Sequence, residues 1–176
     1  VGRGTAAGYV NMATKRPHAG TSMAVMASGG TADQGRVTAD LNWSAPAVPG
    51  SSWWSHAAVR LNALWQDRGV PGRDFVQNES QAVAPAVVIG LDTDTRVFGS
   101  AQIMRQDNVP DYGIPTAGWA AQPLAPTVSR TMQPVRQANF YGSPDADYDR
   151  AEQNAVLARV EHDVRRNLTV SNQTRY

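Results

Sequence analysis

Apolar and polar residues alternate along much of the chain. In Arg36-Val37-Thr38-Ala39-Asp40-Leu41-Asn42-Trp43-Ser44 the odd positions are apolar and the even positions polar. Successive side chains of an extended strand point to opposite faces, so this spacing predicts a strand with one apolar and one polar side. His56 to Gln66 repeats it: Val59, Leu61, Ala63 and Trp65 share one side, Arg60, Asn62 and Gln66 the other, and Leu64 breaks the order. From Arg96 to Gln106, Val97, Gly99, Ala101 and Ile103 alternate with Arg96, Ser100, Gln102 and Gln106, while Phe98 and Met104 fall on the polar side. Gln153 to His162 sets Val156, Ala158 and Val160 against Leu157, Arg159 and Glu161. Weaker strands fit Thr21 to Gly29, Gln81 to Gly90 and Leu168 to Tyr176. In Gln81 to Gly90 both faces are apolar, and Pro85, which cannot donate to a ladder, points to an edge, a bulge or a strand start. A helix over Asp147 to Asn167 competes, because Ala151, Glu152, Ala155, Val156, Arg159 and Val160 also fall along one side at helical spacing; the alternation favours the strand.

These roughly seven strands are mostly about 8 to 11 residues long, near the 9–11 that a tilted strand needs to cross a bilayer and longer than the 5–6 common in soluble sheets. The links agree in part. Leu91 to Thr95 and Asp163 to Asn167 are short, whereas Asp67 to Ser80 and Asp107 to about Glu152 are long. Outer-membrane barrels have short periplasmic turns and long external loops, which puts the long links outside. Gly30 to Gly35 is then too short for its side, and Ala45 to Ser55 too long. The expected lipid-facing set is Val37, Leu41 and Trp43 with Val59, Leu61 and Trp65. The fold class expected is all-β, part of a transmembrane antiparallel barrel.

Composition narrows this little. The formal net charge is +1, and arginines are spread from Arg3 to Arg175 with Lys15 the one lysine, so there is no basic footprint for nucleic acid. Without cysteine, disulfides and thiolate metal sites are impossible. His18, His56 and His162 are far apart and form no paired metal motif. No secretory leader opens the sequence and no run approaches the roughly 20 apolar residues of a membrane helix, but barrel strands need no such run. No nucleophile–base string, phosphate loop or paired-carboxylate setting supports an enzyme.

The opening Gly2-Arg3-Gly4-Thr5-Ala6-Ala7-Gly8-Tyr9-Val10-Asn11-Met12-Ala13-Thr14-Lys15-Arg16-Pro17 resembles the end of the plug domain of TonB-dependent receptors, where a glycine-rich turn precedes Gly-x-Val/Ile-Asn, Thr-Lys and a proline leading into the barrel. Glycines suit a segment threaded against a barrel wall, since they allow tight turns and close backbone approach. Ala58-Val59-Arg60-Leu61-Asn62, Pro71-Gly72-Arg73-Asp74, Val83-Ala84-Pro85, Val109-Pro110-Asp111-Tyr112-Gly113-Ile114-Pro115, Asn139-Phe140-Tyr141-Gly142 and Glu161-His162-Asp163 are similar, in order, to the catecholate siderophore branch of that family. The resemblance implies a plug-filled barrel of roughly 22 strands. Residues 1–17 would end the plug and 18–176 would supply the first barrel strands, with the energy-coupling segment, most of the plug and the barrel closure lying elsewhere in a longer product. It further implies a Gram-negative outer-membrane location, monomeric assembly, lipid and the TonB complex as partners, and iron carried only as the ferric siderophore, with no resident cofactor.

A ferric catecholate is a flat-sided aromatic anion, which proteins hold with arginine charge and aromatic faces. Arg68, Arg73, Tyr112, Trp119 and Tyr141 on the external links, together with Arg105 near the external end of a strand face expected to line the lumen, are the candidate ligand-binding residues. Arg130, Arg136 and Tyr148 share that setting. Asp145, Asp147 and Asp149 lack the glycine and distal glutamate of an EF-hand loop and read as a solvated turn. Two other classes compete: a barrel receptor for cobalamin or a sugar, and a soluble β-sandwich binding module.

Overall fold

A computed structural model of the chain describes residues 14–46, 56–113, 136 and 138–176. Seven strands form one antiparallel sheet in sequential order: β1 (Ser22–Gly30), β2 (Gln34–Ser44), β3 (Ala57–Gly69), β4 (Gln77–Ile89), β5 (Thr95–Val109), β6 (Asp149–Arg165) and β7 (Leu168–Arg175). All seven expected strands are present, and Asp147 to Asn167 is not a helix: β6 pairs with β5 along its length and with β7 over its second half. Pairing lengthens several strands beyond what alternation shows. β4 begins at Gln77 and β6 at Asp149, because Gln77 faces Val109 and Asp149 faces Asn108 across ladders whose partners are already extended. The links at the long-loop end shrink accordingly, to 70–76 and 110–148.

Pro85 stands inside β4 and not at an edge. It pairs with Leu61 on the β3 side, while the β4–β5 register skips Ala84 and Pro85 before resuming at Ala86↔Ser100. The missing amide hydrogen is tolerated by a local gap in one ladder. At the opposite end from the long loop, Gly90 (φ 84°) opens the β4–β5 turn. A Cβ there would collide with the Thr95 carbonyl, so the turn requires glycine.

The register sorts the side chains into two faces. Met23 and Val25, Val37 and Leu41 with Trp43, Val59 and Leu61 with Trp65, Val83 and Val87, Val97 and Ile103, Val156 and Val160, and Val170 share the apolar face. Trp43 and Trp65 remain 54% and 47% exposed, so nothing in the described chain covers this face. A soluble sandwich would lay a second sheet on it; among the described residues there is none. The other face carries Asp40, Asn42, Arg60, Ser80, Arg96, Arg159 and Glu161 and holds the buried polar groups, with Asn42 2% and Glu161 8% exposed. Residues 14–20 lie across this polar face. Thr14–Pro17 border a cavity of about 380 Å³ whose walls include Phe98, Gln102, Arg159 and Gln173.

Candidate functional site

The polar face changes character along the strands. Near the short turns it carries ion pairs, and toward the long loops it becomes a belt of amides and arginines. One row across the sheet is Arg36, Gln66, Ser80 and Gln106, and the next is Arg68, Asn78, Asn108 and Asp149. Arg36 donates to Gln66 Oε1 at 3.0 Å, and Gln106 Nε2 lies 3.5 Å from Ser80 Oγ. Arg68 belongs to β3 and not to the loop, and its side chain is exposed at the head of this belt. The arginines and amides of these rows offer donors to an anionic ligand with many oxygens, with the Asp149 carboxylate as the one acceptor-only group among them. Alternation already put Gln66 and Gln106 on the polar side. Asn78 and Asn108 were missed because their strands continue past the point where alternation is visible.

The loops above the belt are tied together. Arg73, its side chain 8% exposed, makes a bidentate pair with Asp111 at 2.8 and 2.6 Å. The Gly113 amide also donates to Asp111 Oδ1 at 2.8 Å. The Arg73 guanidinium, followed by this backbone donor, holds the Asp111 carboxyl below its ordinary range. Beside this clasp the Asp74 amide donates to the Ala138 carbonyl at 2.7 Å, and the Phe75 and Phe140 rings meet edge to face at 6.4 Å. The 70–76 loop therefore grips the long link at two places, at 111–113 beside β5 and at 138–140.

The sequence candidates are not gathered into one pocket. Tyr112 projects beside the clasp and is 70% exposed. Arg73 is committed to the clasp. Tyr141 donates its hydroxyl to the Arg136 carbonyl at 3.2 Å and braces the link. Trp119 and Arg130 lie outside the described residues. Arg105 requires a correction: it was expected on a lumen-lining face, but the β5–β6 register, continuous from Thr95 to Asn108, puts it on the apolar side with Val97 and Ile103. There it is 3.4 Å from Glu152, and both side chains are largely exposed. Its neighbours on that side, Asp107 paired with Arg150 at 2.8 Å and Glu79, form a charged rim beyond the apolar band. Asp147 accepts from the Ser143 amide at 2.7 Å and closes a turn. No group of three or more metal-ligating side chains occurs among the described residues.

No family model matches the chain. It is similar to the catecholate siderophore receptor Fiu of Escherichia coli O6:H1, 36% identical over 178 residues, covering 99% of this chain and 22% of that protein. The probable TonB-dependent receptor BfrD of Bordetella pertussis is 36% identical over 176 residues, again across 99% of this chain and 22% of the relative. Among solved structures, the closed form of the ferric-catecholate import receptor Fiu from E. coli K12 superposes with a TM-score of 0.76 at 34% identity, over 92% of this chain and 22% of that one. The chain thus spans about a fifth of the length of these relatives.

Proposed function

We propose that the chain is part of a TonB-dependent receptor that imports ferric catecholates across the outer membrane, because 99% of it is similar to one segment of a catecholate siderophore receptor and of a probable TonB-dependent receptor. The observation that carries this reading is the likeness to Fiu in sequence and in fold together, over 92% of a chain that folds as a two-faced sheet. In this reading the apolar face meets lipid and the polar face lines the barrel interior. Residues 1–17 end the plug and 18–176 begin the barrel. The long-loop end is extracellular, the receptor acts as a monomer energised by the TonB complex, and iron passes only as cargo within its siderophore. Arg68, at the head of the polar belt, and Tyr112, beside the clasp, are the candidates for ligand contact. Arg73 and Tyr141 shape the loops around them.

The test is uptake of radioactive iron by iron-starved cells that lack other catecholate receptors and express the receptor containing this chain. Iron supplied as a ferric catecholate enters and iron supplied as a ferric hydroxamate does not. Equal uptake of both, or of neither while the receptor is surface-exposed, overturns the substrate class.

A further inference from the structure

The stretch just before β1 is held to the polar wall by more bonds than a connecting segment needs. Asn42, on β2, is the centre of this arrangement. Its Oδ1 accepts from the His18 amide at 3.1 Å, and its Nδ2 donates to the carbonyls of His18 at 2.9 Å and Gly20 at 2.7 Å. One amide side chain thus satisfies three backbone groups of a non-strand segment, which only Asn or Gln has the donors and acceptor to do. Two residues along the same strand face, Ser44 Oγ accepts from the Gly20 amide at 2.8 Å. Gly20 (φ 90°) turns the chain from this segment into β1.

Ion pairs hold the rest. Asp40 takes Lys15 at 2.6 Å and, through both oxygens, Arg60 at 2.7 Å, while Arg60 Nη1 donates to the Arg16 carbonyl at 3.0 Å. The Arg16 guanidinium sits 5.1 Å from the centre of the Phe98 ring and 3.5 Å from Glu161, so the segment reaches from β2 across to β5 and β6. Glu161 is itself fixed by Arg159 at 2.6 Å and Arg96 at 3.4 Å. Pro17, between the two ion-paired residues and Asn42, is buried and brings no amide hydrogen that would need a partner.

We propose that residues 14–20 are a fixed anchor joining whatever precedes Thr14 to the polar wall, with Asn42 as the positioning residue. Residues 14–20 then stay fixed to β2, β3, β5 and β6 as one unit with the wall. The proposal depends on bonds within this chain and not on the identity of the cargo, so it stands or falls separately from the substrate class.

The experiment is hydrogen exchange on the complete receptor in outer-membrane vesicles, following the peptide spanning 14–20 and, as a control, the peptide spanning β5. In the parent the 14–20 peptide is protected to a degree near that of the control. Asn42→Leu, which keeps the bulk and removes all three bonds, speeds its exchange by about tenfold or more and leaves β5 unchanged, since three part-buried hydrogen bonds lost together shift such an equilibrium by about that order. Asp40→Asn, which removes the charge that Lys15 and Arg60 share, gives a smaller increase in the same peptide. Should the Asn42→Leu receptor fail to reach its heat-modifiable folded form, Asn42→Asp is measured instead; it keeps the acceptor and loses both donor contacts. Exchange in the parent as fast as in an unstructured peptide, or unchanged protection in the folded variant, overturns the anchor.

Discussion

The two faces of this sheet are built from the same strands and meet opposite fates. On one, Val37, Leu41, Trp43, Val59, Leu61 and Trp65 meet one another across the β2–β3 ladder, and all but Leu41 are left exposed. On the other, Asn42, Ser80 and Glu161 are buried among hydrogen bonds and ion pairs. A soluble domain shows the reverse, with apolar side chains packed and charges left to solvent. The inversion suits a barrel wall, whose outward side chains are satisfied by lipid tails and whose inward ones must find polar partners within the protein. The ion pairs of Arg105 with Glu152 and of Arg150 with Asp107 mark where the apolar face gives way to charge.

The largest effect that breaks or confirms this contrast comes from placing one charge on either face at the same height. If the sheet is part of the proposed receptor's barrel, Leu61→Arg in the complete protein costs roughly 2–4 kcal/mol of stability in a bilayer, and Asn62→Arg costs well under half of that. Urea titrations of both variants refolded into vesicles measure the difference; equal costs would mean that the faces are not lipid and lumen.

Next in size is ligand affinity. If Arg68 on the polar face contacts an anionic cargo, Arg68→Ala weakens ferric catecholate binding about ten- to a hundredfold, the span of a charged hydrogen bond worth roughly 1.5–3 kcal/mol. Arg105→Ala leaves affinity unchanged, because its side chain stands on the other face beside Glu152. Binding titrations at matched surface expression separate the two, and a loss at Arg105 without a loss at Arg68 would reverse the face assignment. A third comparison uses nitroxides at neighbouring positions of β2. A label replacing Ala39 collides with dissolved oxygen several-fold more than with a water-soluble nickel chelate, and a label replacing Thr38 does not. Identical accessibility at both sites would deny the contrast directly.

The smallest effect lies above both faces, in the clasp. Arg73 holds the Asp111 carboxyl below its ordinary range. A carboxylate depressed in the folded state contributes its stabilisation fully above its unfolded pKa, and loses it as pH falls through the lower folded value. The clasp therefore survives mild acidification and opens only in stronger acid, whereas Asp111→Asn opens it at neutral pH. Cleavage by an acid-tolerant protease near residues 70–76 follows both transitions. A parent loop that becomes sensitive at or above the ordinary carboxylate range would contradict the geometry of the pair.

What alternation alone determined is the strand count and which residues share a side within each strand; the order of long and short links it gave only in part, since 31–33 is short at the long-loop end and 45–56 long at the other. These are local properties, because the side-chain period of two is set by the backbone of a single strand. Arg105 shows how they can be misread: its odd position already put it with Ile103, and its charge suggested the polar face instead. Other features were not legible at all. The extension of β4 back to Gln77 and β6 to Asp149 comes from ladders with partners about 30 and 40 residues away. Asn42 has the same composition signal as any polar strand residue, and only the crossing of residues 14–20 over β2 makes it the centre of an anchor. Arg73 was read as ligand-facing until the fold put Asp111, 38 positions away, against it. Each of these depends on which segments become neighbours, and that is settled by register and crossing in three dimensions, where a side chain's partner is chosen by distance in space and not by its spacing along the chain.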